Sequence, residues 1–189
     1  MTRQLSLLMP SDLPEGLSYQ EDFISPEYEQ DLVARIADLP LQPFQFGAYE
    51  GHRRVASFGW RYDYTARKLE PVSPAPQWLD PVTAQVEAFA ALPAGAIRQV
   101  LFTEYAPGVG IGWHRDKRAF DVVLGLSLAS ECGLRFRRKA GDRWQRYTLT
   151  AVPRSLYLMS GAARHQWEHS IASVEQLRYS ITFRTLAPH

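Results

Sequence analysis

Two stretches in the first half of the chain carry apolar residues at helical spacing. The first follows Ser25-Pro26-Glu27, in which serine suits the N-cap, proline the first helical position and glutamate the positive end of the helix dipole. Its apolar residues recur every three or four positions, at Tyr28, Leu32, Ile36 and Leu39. The second stretch begins near Asp80-Pro81 and ends before Pro93-Ala94-Gly95. We expect one helix in each stretch.

The pattern changes from residue 96 onward to short apolar or alternating segments separated by turn residues. The predicted strands are residues 100–105, 122–128, 134–138, 144–150, 155–159, 167–171 and 177–186. Many short strands at close spacing are typical of a sandwich or a jelly-roll barrel, and not of alternating strands and helices. Because the helices precede the strands, we expect them to pack against one outer face of a sheet. The predicted fold class is mainly β (α+β).

A stretch rich in aromatic and basic residues, 52–64, lies between the two predicted helices. Trp60, Tyr62 and Tyr64 alternate as they would in a strand. Alternating aromatic residues most often share an inward face that packs in the core. A second interpretation is a surface on which an extruded base stacks, as enzymes that modify bases require.

The composition limits the class of protein. A chain of 189 residues suffices for one domain with its own core, and no apolar run approaches the roughly 20 residues of a membrane-spanning helix. The single cysteine, Cys132, excludes a disulfide framework and a cysteine-rich zinc module, and it favours a reducing compartment. We expect a cytoplasmic, monomeric protein that does not contact a membrane.

The net charge of +1 conceals an uneven distribution. Residues 1–50 contain two basic and nine acidic side chains, a balance of −7, whereas residues 51–189 contain nineteen basic and eleven acidic ones, a balance of +8. Charged runs are usually solvated surface, but this asymmetry also permits a basic functional face without a basic protein. It weakly favours a polyanionic partner.

The sequence contains a candidate metal-binding motif. His114 and Asp116 are two residues apart, so they lie on one side of an extended segment. With one further histidine they form the two-histidine, one-carboxylate set that suits non-haem Fe(II). His52, His165 and His169 are the candidates, and the spacing of the last two allows either to be the ligand. The alternative is a surface turn in which Asp116 pairs with a neighbouring cation.

The last predicted strand has one polar and one apolar face. The polar face carries Arg178, Ser180, Thr182 and Arg184, which alternate with apolar residues. An arginine that points into a barrel is costly unless it meets an anion. A dicarboxylate ligand satisfies this requirement if one guanidinium binds its carboxylate and the other holds Asp116 or a second carboxylate. The alternative is a polar face in solvent.

Three motifs together resemble the AlkB family of Fe(II)- and 2-oxoglutarate-dependent dioxygenases. They are Tyr105-x-x-Gly108-x-x-Ile111-x-x-His114-x-Asp116, Trp167-Glu168-His169-Ser170-Ile171 and Arg178-x-Ser180-x-Thr182-Phe183-Arg184. The resemblance covers residues 96 to 186, and the 52–64 stretch is similar to the family's nucleotide-recognition region. It implies a double-stranded β-helix (jelly roll) catalytic core over residues 96–189. Residues 1–95 are then an N-terminal helical support and substrate-recognition (lid) region of the same catalytic domain.

The resemblance also implies the roles of individual residues. His169, and not His165, completes the catalytic iron set with His114 and Asp116. Arg178 holds the distal carboxylate of 2-oxoglutarate, while Arg184 lies near the proximal carboxylate. The full predicted cosubstrate site is Thr103, Tyr105, Arg178, Ser180, Thr182 and Arg184. O2 is the oxidant, 2-oxoglutarate becomes succinate and CO2, and an N-methyl group is released as formaldehyde.

Three positions depart from the family pattern. Thr103 and Ser180 stand where the family often has asparagine, which implies altered or water-mediated hydrogen bonds to the cosubstrate. Arg118 stands where DNA-repair members commonly have an acid that contacts the damaged base. A cation there changes or abolishes that contact.

The leading hypothesis is an enzyme that oxidatively dealkylates N-alkylated bases in DNA or RNA. Basic side chains would contact phosphates and aromatic ones the base. The predicted substrate-binding residues are Arg54, Phe58, Trp60, Tyr62, Arg118 and Arg138. The main alternative is the same iron chemistry on a protein side chain or a small molecule. A non-catalytic β-barrel binding module is the third.

Overall fold

The computed structural model describes residues 13–46 and 48–188, and within them strands predominate over helices. The α-helices are α1 (Pro26–Ala37), α2 (Asp80–Phe89), which follows a 3-10 turn at Gln77–Leu79, and α3 (Gly161–His165). The first strands are β1 (Leu17–Gln20), β2 (Gln42–Phe46), β3 (Tyr49–Phe58), β4 (Trp60–Asp63) and β5 (Lys68–Pro71). The later strands are β6 (Gln99–Tyr105), β7 (Ile111–His114), β8 (Phe120–Leu128), β9 (Cys132–Ala140), β10 (Arg143–Ala151), β11 (Leu156–Met159), β12 (Glu168–Ile171) and β13 (Arg178–Leu186).

Two antiparallel sheets pack face to face. The large sheet has the strand order β1-β11-β8-β13-β6-β3-β2, and the small sheet has the order β10-β9-β12-β7. Val123 and Tyr157 from the large sheet share one buried cluster with Leu134 and Phe136 from the small sheet. Strands β4 and β5 form a separate hairpin. The predicted jelly roll is confirmed.

The two predicted helices cover the outer face of the large sheet. Ser25 caps α1, and its Oγ accepts a hydrogen bond from the Tyr28 N–H at 3.2 Å. Leu32 and Ile36 on α1 are fully buried in one cluster with the outward side chains of β6 and β13. The alternation of β13 follows from this packing, because its apolar residues face the helices and its polar residues face the space between the sheets.

The region before residue 96 contributes more than helices to the domain. Strand β1 pairs with β11, and β3 pairs with β6, so both belong to the large sheet. The predicted division at residue 95 therefore does not separate helical support from sheet. The first twelve residues of the predicted 1–95 region lie outside the described residues. Within the described ranges, no helix is both long and apolar enough to cross a membrane.

Candidate metal centre and its cavity

Three side chains converge between the sheets as a candidate metal site. His114 ends β7, Asp116 follows two residues later, and His169 lies on β12. The antiparallel register of β7 and β12 places His169 directly opposite His114, with the ring centroids 4.2 Å apart. One ligand atom from each of the three residues lies within 4.8 Å of the others. This set and spacing fit a single Fe(II) ion.

Both histidines are prepared to bind metal in the neutral form. His114 Nδ1 lies 2.8 Å from the carbonyl oxygen of Gly112, which can only accept, so Nδ1 carries the hydrogen and Nε2 keeps a free lone pair. Burial lowers the pKa of His114 and lowers the pKa of His169 to about 3. Neither imidazole therefore needs to lose a proton to a metal at neutral pH.

Asp116 is held as a carboxylate by its neighbours. Burial alone would raise its pKa, but Arg184 and the two imidazoles outweigh burial and hold the pKa of Asp116 below its usual value. Arg184 Nη2 donates to Asp116 Oδ1 at 3.0 Å, and Arg184 Nη1 donates to Gln99 Oε1 at 2.8 Å. Gln99 lies opposite Arg184 in the pairing of β6 with β13. Gln99 thus holds Arg184 in place, and Arg184 fixes the orientation of the Asp116 carboxylate.

Arg178 is a fully buried guanidinium with an unsatisfied edge. Its Nε and Nη2 donate to Ser127 Oγ at 3.3 and 3.1 Å, whereas Nη1 has no hydrogen-bond partner among the described residues. The guanidinium carbon lies 5.1 Å from the centre of the Tyr105 ring. A buried cation with a free N–H edge fits a ligand carboxylate, because an unpaired buried charge is strongly destabilising. A dicarboxylate cosubstrate therefore fits these residues.

The remaining predicted cosubstrate residues share the inner face with Arg178. Tyr105 is the cross-strand partner of Arg178, and Thr103 is the partner of Ser180. Thr103, Tyr105 and Thr182 line the same cavity as the metal set. Ser180 is buried on the same face but does not line the cavity.

Tyr157 is a cavity residue that the sequence did not single out. It lies on β11 opposite Gly125 on β8, is buried, and lines the cavity. A Cβ atom added at Gly125 would meet Tyr157 Cζ at 2.2 Å and Oη at 2.3 Å, so the ring occupies the space that glycine leaves free. Burial raises the pKa of Tyr157, so its hydroxyl stays protonated and can donate a hydrogen bond.

The metal set lies in a cavity of about 540 Å³, within the usual range for small-molecule sites. An aromatic wall of Phe44, Tyr62 and Tyr64 forms part of the lining. The Tyr64 ring lies 5.5 Å from Phe44 and 5.2 Å from Tyr62, both edge to face. Arg53 stacks over Phe44 at 3.8 Å, and the Lys117 ammonium lies 4.8 Å from the centre of the Tyr64 ring.

Only some predicted substrate-binding residues line this cavity. Tyr62 and Phe58 do, although Phe58 also packs edge to face on the core residue Phe102 at 5.7 Å. Arg54 points to the other face of β3, where it donates to Glu104 Oε1 at 2.9 Å and to the Leu41 carbonyl at 3.1 Å. Strand alternation turns Arg53, and not Arg54, into the cavity, and substrate binding by Arg54 stays a prediction.

Trp60, Arg118 and Arg138 also lie outside the cavity lining. Trp60 belongs to the β4–β5 hairpin, and Arg118 is exposed in the loop between β7 and β8. Arg138 is engaged elsewhere, because it donates to Gln145 Oε1 at 2.6 Å and to Gln166 Oε1 at 3.1 Å. The structure does not bring these three residues into the cavity lining, and their part in substrate binding stays a prediction.

The other two candidate histidines do not join the metal set. Residues 161–165 form helix α3 and not an extended segment, so His165 and His169 do not share a strand face. His165 is exposed, and its Nε2 lies 3.2 Å from Asp121 Oδ1. His52 is exposed on β3. The structure therefore brings His169 alone of the three candidates to His114 and Asp116.

Comparisons with known proteins agree with this geometry. The model of the 2OG-Fe(II) oxygenase superfamily matches residues 16–184. A relative from Macaca fascicularis, named tRNA (carboxymethyluridine(34)-5-O)-methyltransferase ALKBH8, is 34% identical over 179 residues, covering 87% of this chain and 25% of the relative. The alkylated DNA repair protein ALKBH8 homolog of Arabidopsis thaliana is 28% identical over 180 residues, covering 82% of this chain and 50% of the relative. The chain thus spans a quarter to a half of these curated relatives.

Two solved structures share the fold at low sequence identity. OsALKBH1 superposes with a TM-score of 0.68 and 14% identity, covering 92% of this chain and 100% of that one. A prolyl-4-hydroxylase from Pseudomonas putida superposes with a TM-score of 0.64 and 16% identity, covering 91% of this chain and 93% of that one. At these identities the likeness concerns the fold, which supports diverse chemistries.

Proposed function

The chain belongs to the 2OG-Fe(II) oxygenase superfamily, and on this basis we propose that it oxidises an alkyl group attached to a base of DNA or RNA. Membership makes it a dioxygenase that uses Fe(II), 2-oxoglutarate and O2. The resemblance to the AlkB family is confirmed by the relatives, and a non-catalytic binding module is set aside. The identity of the oxidised substrate is the proposed part.

The residues of the cavity have distinct roles in such a reaction. When bound, Fe(II) and 2-oxoglutarate would supply the chemistry with O2 as the oxidant: one oxygen atom of O2 goes into succinate as 2-oxoglutarate loses CO2, and the other is inserted into a substrate C–H bond. His114, Asp116 and His169 would hold the metal ion. Arg184 keeps Asp116 ionised and oriented through the 3.0 Å contact. These residues act on every substrate and do not select one.

Arg178, which is buried beside the cavity-lining Tyr105, would bind the cosubstrate. The free Nη1 edge of Arg178 binds the distal carboxylate, because no described side chain satisfies it. Tyr105 is the neighbour of Arg178 on the adjacent strand β6. Its hydroxyl group and that of Tyr157 lie on the same inner face of the sheet. Arg178, Tyr105 and Tyr157 would therefore hold the keto acid.

The aromatic wall is the observation that carries the proposal of a base as substrate. Phe44, Tyr62 and Tyr64 line the cavity that contains the metal set. A flat ring stacks on such surfaces with little dependence on its identity, and an enzyme that modifies a base must take that base out of its stack into a pocket. The names of two relatives, which refer to tRNA and to DNA repair, support the same substrate class.

A basic and aromatic surface on the small sheet supports the same proposal. On the outer face, the Arg137 guanidinium lies 4.4 Å from the Trp113 ring and 4.5 Å from the Trp144 ring, and Lys139 lies 5.1 Å from Trp144. Arg135 lies 5.3 Å from Trp113. Cations interleaved with indoles are suited to a nucleic-acid strand, whose phosphates and bases offer matching contacts.

The test is a panel of single- and double-stranded oligonucleotides with N-methylated bases, incubated with Fe(II) and 2-oxoglutarate. We expect succinate release coupled to loss of the methyl group, with formaldehyde as the second product. His169→Ala removes a metal ligand and should abolish turnover, while His165→Ala, at an exposed site away from the set, should retain it. Turnover of a peptide or a free metabolite without turnover of any oligonucleotide would contradict the proposal.

A further inference from the structure

The cavity carries more positive charge than its acidic residues can neutralise. Among the described residues, Asp116 is the one acid in its lining. The basic residues of the lining are Arg53, Arg61, Arg115, Lys117 and Arg184. Arg184 pairs with Asp116, and Arg61 pairs with Glu70 outside the lining. Arg53, Arg115 and Lys117 have no acidic partner in the described ranges. Arg115 donates only to the Gln166 carbonyl, at 3.3 Å.

Arg53 is the best placed of these cations to contact a substrate ring. Its guanidinium lies 3.8 Å from the centre of the Phe44 ring, which fixes its plane and leaves its N–H edge available. Within residues 13–46 and 48–188, Arg53 forms no hydrogen bond or ion pair. A partly buried, unpaired guanidinium gains most from an oxygen acceptor that enters the cavity.

Lys117 occupies the aromatic surface that would otherwise attract a cationic ligand. Its ammonium lies 4.8 Å from Tyr64, 5.2 Å from Tyr62 and 5.7 Å from Phe46. Aromatic rings arranged in this way bind cations through their negative faces. Here the Lys117 ammonium already occupies the faces of these rings. A positively charged base would therefore find no free aromatic face, and Lys117 and Arg53 would repel it.

The bound cofactors do not reverse this balance. The two negative charges of 2-oxoglutarate equal in number the two positive charges of Fe(II). The negative charge of Asp116 is paired with Arg184. Arg178 adds a further cation at the cosubstrate end. A ligand in the substrate part of the cavity therefore experiences net positive charge, which favours acceptor oxygens and negative groups.

We propose that Arg53 donates hydrogen bonds to a carbonyl or carboxylate oxygen of the substrate, so that the cavity selects neutral or anionic alkylated bases and rejects cationic ones. This selection rests on the proposed function. Methylation at N3 makes cytosine a cation at neutral pH, because no ring proton is replaced. The same methylation of uracil replaces an N–H, so the base stays neutral and keeps two carbonyl oxygens. The two bases differ little in size and present the methyl group at the same ring position.

The experiment compares two oligonucleotides that differ only in 3-methyluracil or 3-methylcytosine, at one salt concentration so that the phosphate contribution is equal. We expect kcat/KM to favour 3-methyluracil by about tenfold or more, as the gain or loss of one charge-assisted hydrogen bond implies. Arg53→Gln should lower kcat/KM for 3-methyluracil about 10–100-fold and narrow the preference. Arg35→Gln, at an exposed position on helix α1 where the arginine pairs with Asp31, is the matched control and should change neither value.

Binding of the same oligonucleotides by fluorescence anisotropy, without iron, gives a readout separate from turnover, and thermal melting shows that each variant is folded. Preference for 3-methylcytosine, an unchanged preference in Arg53→Gln, or an equal loss of activity in Arg35→Gln would overturn this inference while the nucleic-acid function stands. If neither oligonucleotide binds or reacts, the proposed function fails and this selection fails with it.

Discussion

Gly125 and Tyr157 form a close pair that allows a test of how tightly the cavity is built. A Cβ atom at Gly125 would lie 2.2 Å from Tyr157 Cζ, 2.3 Å from Oη and 2.4 Å from Cε1. Ordinary van der Waals contact for such an atom begins at 3.4 Å. In Gly125→Ala the tyrosine ring must therefore move by more than 1 Å or the strands must separate. A glycine occurs within strand β8 because the Tyr157 ring fills the space that a side chain at position 125 would occupy.

The cost follows from the packing around Tyr157. The ring is buried in the cluster between the sheets, so it has little space into which to move. Overpacking of this kind costs about 1–3 kcal/mol, and the reduced entropy of the unfolded chain offsets about 0.4–1 kcal/mol. We expect Gly125→Ala to lower the free energy of unfolding by about 1–2 kcal/mol and Tm by about 2–8 °C. The displaced Tyr157 hydroxyl should also weaken 2-oxoglutarate binding.

A double-mutant cycle read by urea unfolding measures this effect, with calorimetric titration of 2-oxoglutarate as the second readout. Tyr157→Leu removes the ring atoms that clash, so Gly125→Ala should cost little in that background, and the coupling energy should be about 1–2 kcal/mol. Gly133→Ala is the matched control, because its Cβ would meet only Ala172 Cβ at 3.8 Å. Additive effects of the two substitutions, within about 0.5 kcal/mol, would refute the steric argument.

Three further predictions concern the metal set and the outer surface. The metal-free protein should lose stability as the pH falls from 6.5 to 4.5, by up to about 1.4 kcal/mol per pH unit for His169, because burial lowers its pKa to about 3 and the unfolded chain binds a proton that the native state does not. His114, whose pKa burial also lowers, should add to this loss. The free energy of unfolding, measured by urea titration at each pH, should fall less steeply with decreasing pH in His169→Gln than in the parent protein. A free energy that does not change with pH in the parent protein would contradict this prediction. Arg184→Gln should lower the affinity for Mn(II) about 10–100-fold, because Arg184 orients Asp116, and an unchanged affinity would exclude that role. Lys139→Gln should reduce the slope of log binding affinity against log salt concentration by about one unit, because one phosphate contact is lost. Succinate release in the absence of oligonucleotide should not change. An unchanged slope would exclude a phosphate contact by Lys139.

The parts of the site that could be predicted depend on short-range spacing. Two residues separate His114 from Asp116, so strand geometry alone places them on one side. The alternation of β13 likewise predicted that Arg178 and Arg184 share a face, and the structure buries Arg178 and pairs Arg184 with Asp116. Such features need no knowledge of what lies across the sheet.

The choice between His165 and His169 could not be made from spacing because it depended on a local change of structure. Both lie on one face only if the segment is extended, whereas Gly161–His165 is a helix. A helix of five residues leaves no periodic signal, since it is shorter than two turns. Similarly, β1 has four residues and is recognised as part of the large sheet only through its pairing with β11.

The charge of the cavity wall depends on pairing between distant strands, which explains why the sequence pointed to the metal set but not to Arg53. Arg53 and Arg54 are adjacent, and only the register of β3 against β6 decides which of them enters the cavity. That register pairs Arg54 with Glu104, where an ion pair at 2.9 Å holds it on the helix side. A slip of one residue would exchange the two arginines and turn the whole strand over. The charge that meets the substrate is therefore set by a contact on the opposite face of the sheet, about 50 residues away in sequence.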